Sequence, residues 1–260
     1  MNLTREQMLE EMGLGPLWRL RTAEPAAQMP AQDDARSAPA PDSAPRVSET
    51  PAASAPQRPA APVAVRSAEA VAALGWPELR QSIADCAACG LCRERKQAVP
   101  GVGDETADWL FIGEGPGSEE DARGEPFVGQ AGKLLDAMLG SIGLARGRGV
   151  YIANTVKCRP PENRTPQAEE MTACFPYLKR QIALLQPRLI VALGRPAAQV
   201  LLDAEVKIGA ARGRVFDHDG IPLVVTYHPA YLLRNLPDKA KAWADLCLAR
   251  AVFESADTAA

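Results

Sequence analysis

The sequence predicts an α/β fold with a mostly parallel sheet between helical layers. Four short apolar runs each stop at a glycine or polar residue, and a helical pattern follows each of them. Apolar runs bounded by turn residues are typical of strands buried on both faces, and their alternation with helices indicates parallel strands. The four strands are expected at residues 109–112, 150–153, 189–193 and 223–227.

Apolar residues at helical spacing predict helices at 132–142, 166–185, 196–202 and 238–253. The second of these should begin with Thr165 as N-cap and Pro166 as its first residue, because proline needs no backbone N–H partner there. Before the last strand, residues 215–216 followed by the polar stretch 217–220 indicate a hairpin turn. His218 is expected to be solvated in that turn.

The chain divides into three predicted regions. Residues 23–67 are rich in Ala and Pro and poor in large apolar side chains, so they are expected to form a disordered linker. Residues 68–256 are long enough to bury a core and form the predicted folded domain. Residues 1–22 begin with a capping box at Thr4 and Gln7 and predict a short helical segment. This segment docks either on its own domain or on a partner protein.

Charge and composition leave several classes of function open. The formal net charge is −3, so a nucleic-acid partner cannot be inferred from bulk charge. No apolar run reaches membrane-spanning length, and the N-terminus shows no secretory signal. We therefore expect a cytoplasmic monomer whose six cysteines are thiols or metal ligands rather than disulfides.

Polar residues follow the predicted strands at the ends where open parallel α/β sheets bind their ligands. Glu114 lies in the glycine-rich stretch 113–117 after the first strand, and Asn154 follows the second. Arg195 comes after the third strand, and His228 follows the fourth. A carboxylate, a carboxamide, a guanidinium and an imidazole are therefore expected to meet at one edge of the sheet.

Each of these signals has a structural alternative when taken singly. The stretch 113–117 lacks the third glycine of a dinucleotide-binding loop and could form a plain tight turn. Asn154 could cap a helix or turn, and His228 could be a structural histidine. Phe127, on a glycine-rich loop before a helix, could be a stacking platform or a side chain of the core.

The cysteines indicate a metal site. Cys86 and Cys89 form a C-x-x-C pair, which needs two more soft ligands. Cys158 and Cys174 lie far along the chain, unlike the second C-x-x-C pair of a zinc ribbon. The pattern is compatible with an iron–sulfur cluster, but spacing alone does not separate iron from zinc. Buried thiols without a metal are the further alternative.

Four motifs stand out together: GEGPGSEED at 113–121, PFVG at 126–129, YIANTVKCRPP at 151–161 and HPAYLLR at 228–234. In this order they resemble family 4 of the uracil-DNA glycosylases, found in bacteria and archaea. The resemblance extends over about residues 76–253 and implies a three-layer α/β/α sandwich with a central four-stranded sheet and a [4Fe-4S] cluster.

The resemblance also implies roles for single residues. The cluster ligands would be Cys86, Cys89, Cys158 and Cys174, while Cys92 lies where the family does not require a ligand. The catalytic residues would be Glu114 beside the attacked sugar, His228 against the departing base and Glu120 in support. The substrate-binding residues would be Asn154 at the uracil edge, Phe127 stacked on its ring, and Gly115, Asn163 and Arg234.

Two positions near these residues add detail. Gly115 stands where the classical uracil-DNA glycosylases have an aspartate. After the histidine, Leu232 and Leu233 could wedge into the base stack while Arg234 meets a phosphate.

A relative within the superfamily forms a covalent bond to the abasic site through a histidine on an inserted loop. The corresponding stretch 159–164 contains no histidine, which favours ordinary hydrolysis.

The implied activity is hydrolysis of the N-glycosidic bond of uracil flipped out of single- or double-stranded DNA. The enzyme would leave an abasic site for base excision repair and would associate with the nucleoid through DNA. One alternative is a non-catalytic iron–sulfur DNA-binding module of the same fold, and the joint presence of Glu114, Asn154 and His228 argues against it. The other is a cysteine-based redox or zinc protein, which leaves the His228 motif unexplained.

Overall fold

The computed structural model describes residues 67–257 of the chain. The predicted N-terminal helical segment, and all but the last residue of the predicted linker, lie outside the described residues. The boundaries at residues 22 and 67 therefore stay predictions. Within residues 67–257, no helix is both long enough and apolar enough to cross a membrane.

A mostly parallel sheet of six strands forms the centre of the described domain. In chain order the strands are β1 (Val102–Gly103), β2 (Trp109–Gly113), β3 (Val150–Asn154), β4 (Leu189–Leu193), β5 (Val215–His218) and β6 (Ile221–Thr226). The order across the sheet is β1–β3–β2–β4–β6–β5, in which β2, β3, β4 and β6 are parallel and the two edge strands are antiparallel to their neighbours. The α/β fold and its four parallel strands are confirmed, but the sheet has two more strands than predicted.

The additional strand β1 is too short to leave a periodic signal in the sequence. It has two residues, Val102 and Gly103, and pairs with β3. A Cβ atom at Gly103 would lie 2.2 Å from a backbone oxygen of β3, so only glycine fits at this close approach.

The additional strand β5 lies at the other edge of the sheet and has two apolar residues followed by two polar ones. Its residues alternate between exposed and half-buried, and they include Asp217 and His218, which were predicted to form the turn. The turn consists instead of Asp219 and Gly220, both at positive φ, as a type I′ hairpin requires. His218 is half-buried, and its Nδ1 lies 2.8 Å from the backbone oxygen of Leu201, so the prediction of a solvated turn residue is wrong.

Helices cover both faces of this sheet. In chain order they are α1 (Ala68–Ala72), α2 (Trp76–Ala84), α3 (Ser118–Arg123), α4 (Gln130–Ser141), α5 (Ala168–Leu185), α6 (Arg195–Leu202), α7 (Ile208–Ala211), α8 (Pro229–Arg234) and α9 (Lys239–Asp257). On one face α5 and α6 bury their apolar sides, and on the other α4, α8 and α9 do the same, while α1 and α2 pack against α5. The predicted helices are all present, with shifted ends.

Helix α5 begins two residues later than predicted, so Thr165 is not its N-cap and Pro166 is not in its first turn. Gln167 takes the N-cap position. The Glu170 carboxylate accepts a hydrogen bond from the Gln167 backbone N–H at 2.8 Å and pairs with Arg164 at 2.7 Å. This arrangement leaves residues 165 and 166 to line the cavity at the end of the sheet.

Candidate active site

A cavity of about 500 Å³, here called the rim cavity, opens at the carboxyl ends of the parallel strands. Loops after β2, β3 and β6 form its walls together with the loop before α4. Arg195 is absent from this lining, although its charge acts on Glu114. The structure brings together all eight residues predicted to act on or bind the substrate, namely Glu114, Gly115, Glu120, Phe127, Asn154, Asn163, His228 and Arg234.

Asn154 is the last residue of β3, and it is almost completely buried at the cavity wall. Its Oδ1 atom has no hydrogen-bond partner among the described residues. Gly113 on the neighbouring strand makes room for it, because a Cβ there would lie 2.5 Å from Asn154 Oδ1 and 2.5 Å from Phe127 Cζ. A buried acceptor without a partner is costly, so Oδ1 is suited to accept a hydrogen bond from a ligand.

Phe127 lies on the loop before α4 at a positive φ of 55°, a conformation that is strained for a bulky residue. Two charged side chains hold this loop from opposite sides. Arg146 donates hydrogen bonds to the backbone oxygens of Pro126 at 2.9 Å and Phe127 at 2.8 Å. Glu120 accepts hydrogen bonds from the backbone N–H groups of residues 128 and 129 at 2.9 and 3.0 Å. The strained position of the Phe127 ring is therefore fixed by charge-assisted hydrogen bonds.

His228 precedes α8, and its ring centroid lies 5.4 Å from that of Phe127. Its Nδ1 accepts a hydrogen bond from the Ala230 backbone N–H at 3.1 Å, which leaves the proton of the neutral ring on Nε2. Burial, reinforced by the positive charge of Arg234 and opposed by Glu120, lowers the pKa of His228 to about 4. The ring is thus neutral at pH 7 and presents an N–H donor beside the cavity.

Glu114 follows β2 directly. Its backbone oxygen accepts hydrogen bonds from Thr155 Oγ1 at 2.5 Å and from the Val156 N–H at 3.3 Å, which fix the turn that carries it. Burial raises the pKa of the Glu114 carboxyl, and a hydrogen bond from Thr165 and the charge of Arg195 limit this rise. A partly desolvated carboxylate of this kind suits a group that orients water or stabilises a cation.

The remaining predicted residues occupy the outer part of the rim cavity. A Cβ at Gly115 would lie 2.8 Å from Val156 Cγ2, so a larger residue there would require movement of the wall. Asn163 Oδ1 accepts a hydrogen bond from Arg159 Nε at 2.8 Å. Arg234 is the last residue of α8 and places a cation at the cavity lining.

Of the two leucines predicted to wedge into the base stack after the histidine, only one is exposed. Leu232, on the inner side of α8, is 1% exposed and belongs to the apolar core, so it cannot enter a base stack. Leu233 is 41% exposed and stays at the surface. The two differ because residues 229–234 form a helix, in which neighbouring side chains point in different directions.

The predicted cluster ligands line a second, smaller cavity, here called the cysteine cavity. Cys86 and Cys89 come from the segment after α2, Cys158 from the loop after β3, and Cys174 from α5, and Cys92 also lies on the wall. No group of three His, Cys, Asp or Glu residues in the range 67–257 is close enough to hold a single metal ion. The four predicted ligands match in number and kind the thiolates that a [4Fe-4S] cluster would take.

The surroundings of these sulfurs fit a negatively charged cluster. Cys158 Sγ accepts a hydrogen bond from Arg95 Nη1 at 2.8 Å, and Cys174 Sγ accepts one from the Lys157 backbone N–H at 3.3 Å. Burial raises the pKa of the Cys158 thiol to about 11 and that of Cys174 to about 12. Bound iron would supply the positive charge that deprotonates these thiols, and the N–H donors would stabilise the resulting sulfur ligands.

Two residues that position this site were missed in the sequence. Lys157 is 1% exposed, and its Nζ donates to the Asn154 backbone oxygen at 2.8 Å and to Gln181 Oε1 at 2.6 Å. Its place between Asn154 and a cysteine, in the motif at 151–161, was a usable signal. Arg146 lies in a polar stretch before β3 and has no local motif, so only its contacts reveal it.

Comparison with known proteins places the chain in a family. The family model described as the Uracil DNA glycosylase superfamily matches residues 100–247. The chain is 45% identical over 167 residues to the type-4 uracil-DNA glycosylase of Pyrobaculum aerophilum. The aligned region covers 61% of this chain and 84% of that protein. It is 46% identical over 164 residues to the type-4 enzyme of Archaeoglobus fulgidus (60% and 82%). It is also 46% identical over 157 residues to that of Thermotoga maritima (60% and 81%).

These matches include the rim cavity. Every residue that lines the cavity falls within residues 100–247, which are more than half of the chain. Each of the three relatives is matched over more than two thirds of its own length. The chain therefore belongs to the uracil-DNA glycosylase superfamily and, within it, to the type-4 uracil-DNA glycosylases.

Proposed function

We propose that this protein hydrolyses the N-glycosidic bond of uracil in DNA and leaves an abasic site, the first step of base excision repair. The observation that carries this proposal is the buried Asn154 Oδ1, which has no hydrogen-bond partner within residues 67–257 and lies close to the Phe127 ring, itself beside the ring of His228. These three groups supply an acceptor, a stacking surface and an N–H donor, which together match one planar uracil.

Recognition would begin with the nucleotide outside the base stack, because an enzyme cannot reach the bond of a stacked base. In the rim cavity, Asn154 would accept from uracil N3–H and donate to O4, while Phe127 stacks on the ring. Cytosine presents the reverse pattern of donor and acceptor at this edge, so the same amide would reject it. Gly115 and Asn163 would contact the nucleotide, and Arg234 would meet a phosphate.

The chemistry would follow from where charge develops. As the glycosidic bond breaks, the sugar becomes positive and the uracil becomes negative. The neutral ring of His228 would donate its Nε2–H to uracil O2, and such a donor acts most strongly where water is excluded. Glu114 would stabilise the sugar cation and orient the water that attacks it. Glu120 would act through the loop whose N–H groups it holds, which makes it a positioning residue.

A [4Fe-4S] cluster bound by Cys86, Cys89, Cys158 and Cys174 would crosslink three segments of the chain. Hydrolysis of a glycosidic bond requires no electron transfer, so the cluster would contribute structure and no redox step. The Lys157 backbone and side chain lie between these ligands and Asn154. We therefore propose that the cysteine cavity supports the geometry of the rim cavity.

Partners and location follow from the substrate. We propose that the enzyme works as a monomer on DNA in the cytoplasm and that residues 68–256 hold the whole activity. Removing residues 1–67 should then leave excision from naked DNA nearly intact. A truncated protein that stays folded but loses most of its turnover would show that the N-terminal region takes part in catalysis or DNA binding.

The function is tested with purified full-length protein and an oligonucleotide that contains one uracil, by measuring abasic sites. The same oligonucleotide with thymine in place of uracil is the substrate control. Asn154→Asp should lower uracil excision about fivefold to 150-fold, because it changes the donor and acceptor pattern facing the base. Absence of abasic sites with the wild-type protein would refute the function, and full activity of the variant would refute the role of Asn154.

A further inference from the structure

Four large apolar side chains are exposed within residues 67–257. Val215 is 46% exposed, Leu233 41%, Leu236 59% and Trp243 48%. The last three fall within the short stretch after His228, and we call them the rim patch. Exposed apolar patches are typical of binding surfaces, so the place of these side chains in the fold matters.

The direction of α9 places Trp243 on the same side of the sheet as the cavity. Asp245 Oδ2 accepts a hydrogen bond from Thr226 Oγ1 at 2.9 Å, and Thr226 ends β6. Farther along α9, the Phe253 ring lies 4.8 Å from that of Trp109, the first residue of β2. The helix therefore runs from the carboxyl edge of the sheet to its amino edge. Its first turns, which carry Trp243, lie at the carboxyl edge, where the rim cavity opens.

Hydrogen bonds hold the backbone beneath the patch. The Tyr231 hydroxyl on α8 donates to Asp238 Oδ2 at 2.6 Å, and Asp238 also pairs with Lys241 at 2.8 Å. Arg212 pairs with Asp245 at 2.9 Å. These contacts join α8, the 3₁₀ turn Leu236–Asp238 and α9, so the patch is presented on a rigid support.

The charges around the patch favour an anionic polymer. Arg234 lies at the cavity lining, and Lys239 and Lys241 follow at the start of α9. The one carboxylate in this stretch, Asp238, pairs with Lys241, so the net positive charge of the stretch lies on Arg234 and Lys239. Exposed aromatic and aliphatic faces set among cations are the combination by which proteins bind single-stranded nucleic acid, since bases stack while phosphates pair with the cations.

We propose that the rim patch is a stacking platform for unpaired bases that flank the flipped uracil, with Trp243 as its principal residue. This inference rests on the proposed function and defines the substrate further. In a duplex the faces of the flanking bases are covered by their neighbours, so they cannot stack on Trp243 without unpairing. The enzyme should therefore bind uracil more tightly in single-stranded DNA than in duplex DNA.

The test compares full-length wild type with Trp243→Ala, Trp243→Phe and Cys247→Ala. Cys247 is exposed on α9 one turn farther from the rim and serves as the matched control. Binding is measured with single-stranded and duplex oligonucleotides in which a 2′-fluorine on the deoxyuridine blocks hydrolysis by destabilising the sugar cation. Trp243→Ala should weaken single-strand binding about fivefold to a hundredfold and change duplex binding less than twofold. Trp243→Phe should restore most of the loss.

Fluorescence supplies a direct signature of stacking. Binding of the single strand should quench tryptophan emission in the wild type and in Cys247→Ala, and this quenching should fall in Trp243→Phe. Equal weakening of single-strand and duplex binding by Trp243→Ala would overturn the platform. No weakening of either would overturn it as well. Excision of uracil by the wild type is measured in parallel. Its absence would overturn the proposed function, while the binding comparison would still decide the platform.

Discussion

The rim cavity and the cysteine cavity are built from different kinds of chain segment. Asn154 and the turn that carries Glu114 stand at the ends of adjacent strands, where the pairing of Gly113 with Asn154 sets their spacing. The cysteines come from two loops and a helix that meet through side-chain packing. The rim cavity is thus a product of sheet register, whereas the cysteine cavity is formed by the packing of side chains from separate segments.

This difference teaches that substitutions in the two cavities should fail in different ways. A change in the rim cavity removes a group from a frame that the sheet still holds, so it should alter rate or affinity. A change in the cysteine cavity should release whole segments and so alter folding. Lys157 contacts both regions, through the backbone oxygen of Asn154 and through Cys174 Sγ.

The largest effect is expected from Cys174→Ala. The variant should lose nearly all bound iron and acid-labile sulfide, or lose its solubility, because it lacks one of the four proposed cluster ligands. Iron and sulfide analysis of protein prepared anaerobically measures this.

Two other cysteines make the comparison sharper. Cys92 lies on the wall of the same cavity, and Cys247 is exposed on α9. Both should tolerate alanine with full iron content. Zinc in the wild-type protein in place of iron would contradict the cluster assignment, and loss of iron in Cys92→Ala would contradict the ligand set.

The next largest effect is expected from His228→Ala. Its Nε2–H would contact uracil O2 mainly in the transition state, so its loss should slow single-turnover cleavage about a hundredfold to a thousandfold while affinity for uracil-containing DNA stays close to normal. His218→Ala, which loses a bond to Leu201 outside the rim cavity, is the control. Weaker binding with unchanged single-turnover cleavage would show that His228 only positions the DNA.

A smaller effect is expected from Arg146→Ala, which removes both hydrogen bonds to the strained Phe127 loop. A hydrogen bond from a charged group contributes about 1.5–3 kcal/mol, so excision should fall about tenfold to a hundredfold. Added guanidinium should restore part of the activity. Arg148→Ala, an exposed arginine two residues away, should behave as wild type. If Arg146→Ala is as active as Arg148→Ala and the wild type, the hydrogen bonds of Arg146 are not needed to hold Phe127.

The smallest effect is expected from pH. The folded-state pKa of His228 is about 4, below its ordinary value of 6.5, so its ring should stay neutral between pH 8 and 5. The stability that it contributes is present above pH 6.5 and is lost as pH falls toward 4, because the unfolded chain takes up the proton first. NMR titration of the His218→Ala variant leaves His228 as the one histidine of the chain. A midpoint near 6.5 would contradict the lowered pKa of His228.

Much of the fold could be predicted because its parallel strands are short apolar runs that end at polar residues. This pattern located β2, β3, β4 and β6 and therefore the edge at which Glu114, Asn154 and His228 meet. The edge strands were not predicted as strands, because β1 has two residues and β5 has only two apolar residues before its polar end. The start of α5 was misplaced because Glu170, within the helix, caps it through Gln167.

The sequence by itself determined the α/β class, the strand ends that form the rim cavity and the set of cysteines available to a metal. The tertiary structure alone decided that Leu232 is buried while Leu233 is exposed, that Arg146 holds the Phe127 loop, and that Trp243 lies at the rim. The physical reason is the distance along the chain over which each kind of interaction acts. Apolar periodicity and turn residues act between neighbours along the chain, whereas burial, ion pairing and the direction of a helix depend on segments that meet only when the sheet and its helices pack.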